Sequence, residues 1–219
     1  MNRGKHHDRS HPWCLARRLV LEKLAPLLRA AGHEVYTPTL TGLGDRAHLL
    51  APGVTLDTHV QDIVGMLECE DLRGAVMVGH SYGGMVMTAV ADRAADRLAQ
   101  LIYLDAFVPQ HGPALADLAD PAFYAKLEAR ARARAEGEGW RVPPPPLARW
   151  GITDDADTDW MRPRIGPHPL STFKQGGAAC RCGGHLAAAH VHLLHEQAGR
   201  RLARAAREAT ARGGGLALP

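Results

Sequence analysis

The stretch Ala75-Val-Met-Val-Gly-His-Ser-Tyr-Gly-Gly-Met-Val86 constrains this chain more than any other. An apolar run suited to a buried strand ends in Gly79-His-Ser-Tyr-Gly83, and an apolar, helix-compatible run follows at once. Turning a strand into a helix within so few residues crowds backbone against backbone. Small residues two before and two after Ser81 relieve that crowding, and Gly79 and Gly83 supply them. Gly84 gives further room for the helix to lie on its strand. A G-x-S-x-G pattern in this setting presents the serine hydroxyl on a sharp bend. Ser81 is therefore the candidate nucleophile.

The rest of the first half alternates in the same way. Residues 15–31 read as an amphipathic helix with Leu15, Leu19, Leu24, Leu27 and Leu28 on one side, and Gly32 as its stop. Glu34 to Leu40 reads as a strand with Pro38 near its end, and Thr41 to Arg46 as a glycine-rich loop. Thr55 to Glu68 reads as a helix, with Thr55 a possible cap and Val60, Ile63, Val64 and Leu67 at helical spacing. Gly74–Gly79 and Leu101–Phe107 read as strands and Gly83–Arg93 as a helix. Strands and helices in alternation predict an α/β fold with a mostly parallel sheet. After Pro109 the texture changes to short helical pieces, the run Pro143–Pro146 and the spaced Trp140, Trp150 and Trp160. Such an insertion suits a cap over an active site.

Composition narrows the function classes. Hydrophobic content of 46%, charged content of 22% and a net charge of +3 are those of a globular domain. Arginine crowds at Arg130–Arg141 and Arg200–Arg212 without interleaved aromatics, which reads as solvated helix faces and not as a nucleic-acid surface. No run approaches the about 18 apolar residues of a membrane span, and residues 1–10 lack a signal peptide's apolar core. A cytoplasmic protein with reduced thiols is the expectation.

From Pro26 to about Gln175 the chain resembles one branch of the α/β-hydrolase superfamily, that of the plant methylesterases, the hydroxynitrile lyases and their bacterial esterase relatives. The resemblance is carried by Pro26–Gly44, Leu56-Asp-Thr-His-Val-Gln-Asp62, the 79–83 turn and Tyr103-Leu-Asp-Ala-Phe-Val-Pro109. Trp140–Pro146 and Pro169-Leu-Ser-Thr-Phe-Lys-Gln175 extend it. It implies an α/β-hydrolase fold with a helical cap, incomplete at both ends. The divisions are an aberrant N-terminal segment (1–22), a core (23–109), a cap (110–175) and an aberrant C-terminal segment (176–219). It also implies ester hydrolysis on a small or aryl ester. Ser81 is then the nucleophile, and Tyr82 lends its backbone N–H to the oxyanion hole. No cofactor, nucleic acid or membrane partner is implied.

Three parts of that resemblance have no counterpart at the expected places: the His base, its Asp, and a His-Gly oxyanion loop. Codons exist for Pro12–Leu21 whose second-base reading is His-Gly-Ala-Trp-His-Gly-Gly-Trp-Cys-Trp, which resembles that loop. Codons for Ala189–Gly199 read likewise give Arg-Thr-Tyr-Ile-Tyr-Cys-Thr-Ser-Arg-Pro-Gly, which resembles the strand leading to the Asp. Both ends thus read as out-of-frame translations. On this reading a central strand before the first helix is lost, the strands after the cap are absent, and the product is marginally stable. Activity is impaired; a non-catalytic remnant binding a small apolar ligand, or a hydroxynitrile lyase-like activity, are the alternatives.

Other candidates are weaker. Asp105 is a substitute acid at the end of its strand. His80 reads as structural; His33, His48, His59, His111 and His168 lack context for a base, His168 alone meriting a test. Asp45-Arg46 reads as a loop-fixing pair and Cys69 as buried. Cys180, Cys182, His185, His190, His192 and His195 do not match zinc-ligand spacing, so no metal is expected.

Overall fold

The computed structural model describes residues 13–15, 24–109, 112–133, 139–176 and 187–191. A five-stranded parallel sheet organises them, in the order β2-β1-β3-β4-β7. Its strands are β1 (Trp13–Leu15), β2 (Val35–Tyr36), β3 (Ala75–Ser81), β4 (Leu98–Ala106) and β7 (Ala187–Val191). The first crossovers carry α1 (Ala25–Ala30), α2 (Leu56–Cys69) and α3 (Gly83–Arg93). This is the expected α/β architecture.

α2 forms as its pattern predicts. Thr55 stays extended and its N–H donates to Thr58 Oγ1 at 3.2 Å, closing the first turn. Leu56, Val60, Ile63 and Leu67 fall on one buried stripe, each worth about 1.5–3 kcal/mol. That stripe packs on α3, which is buried from Gly83 to Ala91 between α2 and the sheet. Arg93 pairs with Asp57 and ties the two helices at one end.

Several expectations need correction. The strand thought lost from the N-terminal segment is present: Trp13 pairs with Val35 on one side and Val76 on the other. Of the helix expected over 15–31, Ala25–Ala30 is helical, whereas Leu15 lies in β1 and Leu27 is exposed; residues 16–23, Leu19 among them, lie outside the described residues. The strand after the insertion, read as absent, is β7, paired with β4 from Gln100 to Leu104. Backbone groups between two strands demand partners whatever the side chains are, and Trp13–Leu15 supplies them opposite Val76–Val78. β2 is much shorter than Glu34–Leu40, because Pro38 has no N–H to give a neighbour. Cys69 closes α2 on its exposed side.

Between β4 and β7 lie α4 (Leu115–Leu118), α5 (Pro121–Arg132), α6 (Asp155–Met161) and α7 (Ser171–Lys174), with an antiparallel pair of β5 (Arg141–Val142) and β6 (His168–Pro169). Two polar clips fasten the end of this segment to the start of α2. Ser171 Oγ donates to Val54 O at 2.5 Å, and Asp57 N–H donates to Gln175 Oε1 at 2.8 Å. They bring His168 and Phe173 against Tyr82 at the head of α3.

Candidate active site

Ser81 is the last residue of β3 and adopts φ = +53°. A non-glycine residue there costs about 1–2 kcal/mol. Its surroundings hold it: Phe107 N–H donates to Ser81 O at 3.1 Å, and the chain enters α3 after Tyr82. The glycines are required by space. A Cβ on Gly79 would stand 2.7 Å from Gly83 O and from Met87 Sδ. A Cβ on Gly84 would stand 2.1 Å from Phe107 O. Gly83 contributes the carbonyl that crowds Gly79.

Tyr82 begins the helix, where the first N–H groups have no partner within the helix itself. Its side chain is buried, and Tyr82 Oη lies 3.0 Å from His59 Nδ1. His59 Nε2 lies 2.9 Å from Thr41 O. A carbonyl can only accept, so Nε2 carries the proton and Nδ1 accepts from the tyrosine hydroxyl. Burial holds the His59 pKa below its ordinary value, outweighing the opposing effect of the Thr41 contact, and the ring is neutral. Burial likewise pushes the Tyr82 pKa up, so the hydroxyl keeps its proton.

The chain of bonds continues outward. Asp62 on α2 accepts from Thr41 N–H at 2.6 Å and Thr41 Oγ1 at 2.8 Å. It also pairs with Arg46 Nη1 at 2.8 Å. Arg46 is therefore fixed by Asp62 and by Thr39 O, and so ties the loop as expected of it. His59 was passed over in the sequence because both its nitrogens serve packing. The signal was present, since a histidine three residues after Leu56 and four before Ile63 sits on α2's buried stripe.

Ser81 and Tyr82 open into a cavity of about 580 Å³. Phe107, Leu127, Trp150, Ile165 and Phe173 give it an apolar lining. His168 also lines it, stacked on Phe173 at 4.6 Å and edge-on to Tyr82 at 4.9 Å. Thr172 Oγ1 donates to Pro169 O at 2.7 Å and so accepts from His168 Nδ1 at 3.1 Å. That leaves the His168 lone pair on Nε2.

Asp105 sits in the bulge where β3 and β4 slip register, with φ = +43°, and is not among the cavity's lining residues. His80, His33 and His48 do not line it either. Arg130, read as part of a solvated face, does line it and donates Nη2 to Pro143 O at 2.6 Å. His111, Cys180, Cys182, His185, His192 and His195 lie outside the described residues, as does the side chain of His190. Among the described residues no group of three or more His, Cys, Asp or Glu could hold a metal ion. Among them, too, no helix is long and apolar enough to cross a membrane.

The model of the alpha/beta hydrolase family matches residues 6–217. A carbendazim hydrolyzing esterase from Nocardioides sp. (strain SG-4G) is 41% identical over 169 residues, 72% of this chain and 69% of that protein. Methylesterase 8 of Arabidopsis thaliana is 26% identical over 40% of this chain, a stretch that spans 32% of the relative. The structure of an extracellular alpha/beta-hydrolase from a Paenibacillus species superposes with a TM-score of 0.72 at 23% identity. The superposition covers 84% of this chain and 77% of that one.

Proposed function

We propose that this chain, which belongs to the alpha/beta hydrolase family, hydrolyses a small or aryl carboxylic ester through Ser81. The Ser81 hydroxyl attacks the ester carbonyl, and the backbone N–H of Tyr82 stabilises the oxyanion. Water then releases the acyl group. The observation that carries this reading is Ser81's positive φ at a strand–helix junction opening into an apolar cavity. The esterases among its relatives support the substrate class.

Turnover is impaired on this reading, because the triad histidine and its carboxylate are lost with the altered ends. Loss of a triad member lowers the rate by roughly 10⁴–10⁶-fold. A fluorophosphonate probe tests both parts. Slow labelling that disappears in Ser81→Ala is the expected result. Rapid stoichiometric labelling would show that a competent base is present. No labelling, with identical ester turnover before and after Ser81→Ala, would leave only a ligand-binding remnant. The nucleotide sequence at Pro12–Leu21 and Ala189–Gly199 tests the cause; codons that cannot yield the shifted readings refute it.

A further inference from the structure

We propose that the segment between β4 and β7 builds an anion-binding wall in the Ser81 cavity, so that the ester taken there carries a carboxylate remote from its scissile carbonyl. The proposal rests on the ester-hydrolase reading and adds the substrate's charge to it. Four cationic side chains of that segment line the cavity: Lys126, Arg130, Arg149 and Arg164. Among the described residues Asp45 is the single carboxylate in the lining.

These charges come from α5 and from the 147–150 and 162–164 turns. Lys126 and Arg130 stand four residues apart on α5 and share a face. Glu128 on the same helix is engaged elsewhere, by Lys174 at 3.0 Å and Arg132 at 3.6 Å. Among the described residues no carboxylate forms an ion pair with Lys126, Arg130 or Arg149. Arg130 is anchored on Pro143 O. Burial, and then the nearby charge of Arg149, make its protonated form less favourable than usual. Arg164 lies over the Trp160 ring at 4.8 Å and donates to Trp160 O at 2.7 Å, so its guanidinium is oriented.

Like charges collected on one wall repel each other, and an anion among them relieves that repulsion. Guanidinium groups match a carboxylate in geometry as well as in charge. The apolar remainder of the lining asks for an apolar spacer between that carboxylate and the reacting carbonyl. A cavity of about 580 Å³ is about 10 Å across, the span of a medium-chain dicarboxylic half-ester.

Calorimetric titration with a non-hydrolysable pair tests this on the full chain: N-phenylsuberamate and its neutral terminal carboxamide. The expected result is binding of the carboxylate about tenfold more tightly at low salt. The preference should fall to within about twofold in a Lys126→Met/Arg149→Met variant. Both positions are exposed, so the fold tolerates the change, and Arg149→Gln alone should give an intermediate ratio. Equal affinities, no binding of either compound, or a preference that survives the double variant overturns the proposal. Fluorophosphonate labelling of the same proteins is read separately. An unreactive Ser81 with a charge preference sinks the hydrolase reading alone, and a reactive Ser81 without one sinks only this inference.

Discussion

Tyr82 Oη and His59 Nδ1 meet at 3.0 Å in the interior, joining the residue after Ser81 to the buried stripe of α2. The contact orients the first turn of α3, and the turn in turn sets where Ser81 and the Tyr82 N–H point. Tyr82→Phe removes the donor and leaves His59 Nδ1 buried without it. The expected cost is about 1–3 kcal/mol in chemical denaturation. Fluorophosphonate labelling of Ser81 should change little, since the backbone N–H remains.

The same histidine predicts a pH dependence. Its pKa in the folded chain lies below the ordinary 6.5, so the unfolded chain binds the proton more readily. Its contribution is fully present above about pH 6.5 and is lost as pH falls from there toward the depressed folded value. His59→Asn should flatten that part of the stability profile relative to the parent. Parallel profiles for the two proteins between pH 7 and 5 would count against a buried neutral ring.

Two glycines make opposite predictions. Gly84→Ala sets a Cβ 2.1 Å from Phe107 O, a backbone atom that cannot swing aside. It should cost more than about 2 kcal/mol or prevent folding. Gly65 lies inside α2 with nothing within 4 Å of its missing Cβ. Gly65→Ala should therefore stabilise by about 0.5–1 kcal/mol, read as a raised denaturation midpoint.

Asp62 gathers three donors from the 39–46 loop, whose Thr39, Leu43 and Asp45 line the cavity. Asp62→Ala strands the Thr41 N–H and leaves Arg46 held by Thr39 O without its ion-pair partner. A loss of about 1–3 kcal/mol is expected, with faster proteolysis inside 39–49. Asp62→Asn keeps one acceptor and should fall between the two.

The region from Thr55 to Arg93 was legible because its information is local. A capping threonine, an apolar stripe at helical spacing and glycines bracketing a serine each act over a few residues. Their physical demands survive any arrangement of the rest. Even there the obstacle facing Gly84, Phe107 O, lies just past the next strand and leaves no mark in the local pattern. The ends were misread for a related reason. Trp13–Leu15 and Ala187–Val191 join the sheet through backbone pairing, which any side chains allow and no pattern announces.

By itself, then, the amino-acid order determined the alternating α/β layout and singled out Ser81, since short-range sterics and periodic burial write themselves into neighbouring residues. Only the folded arrangement decided that Arg46 answers to Asp62 and that His59 holds Tyr82. It alone gathered Lys126, Arg130, Arg149 and Arg164 around one cavity. Those are meetings of residues far apart along the chain, and packing, not spacing, selects which polar groups come within reach of each other.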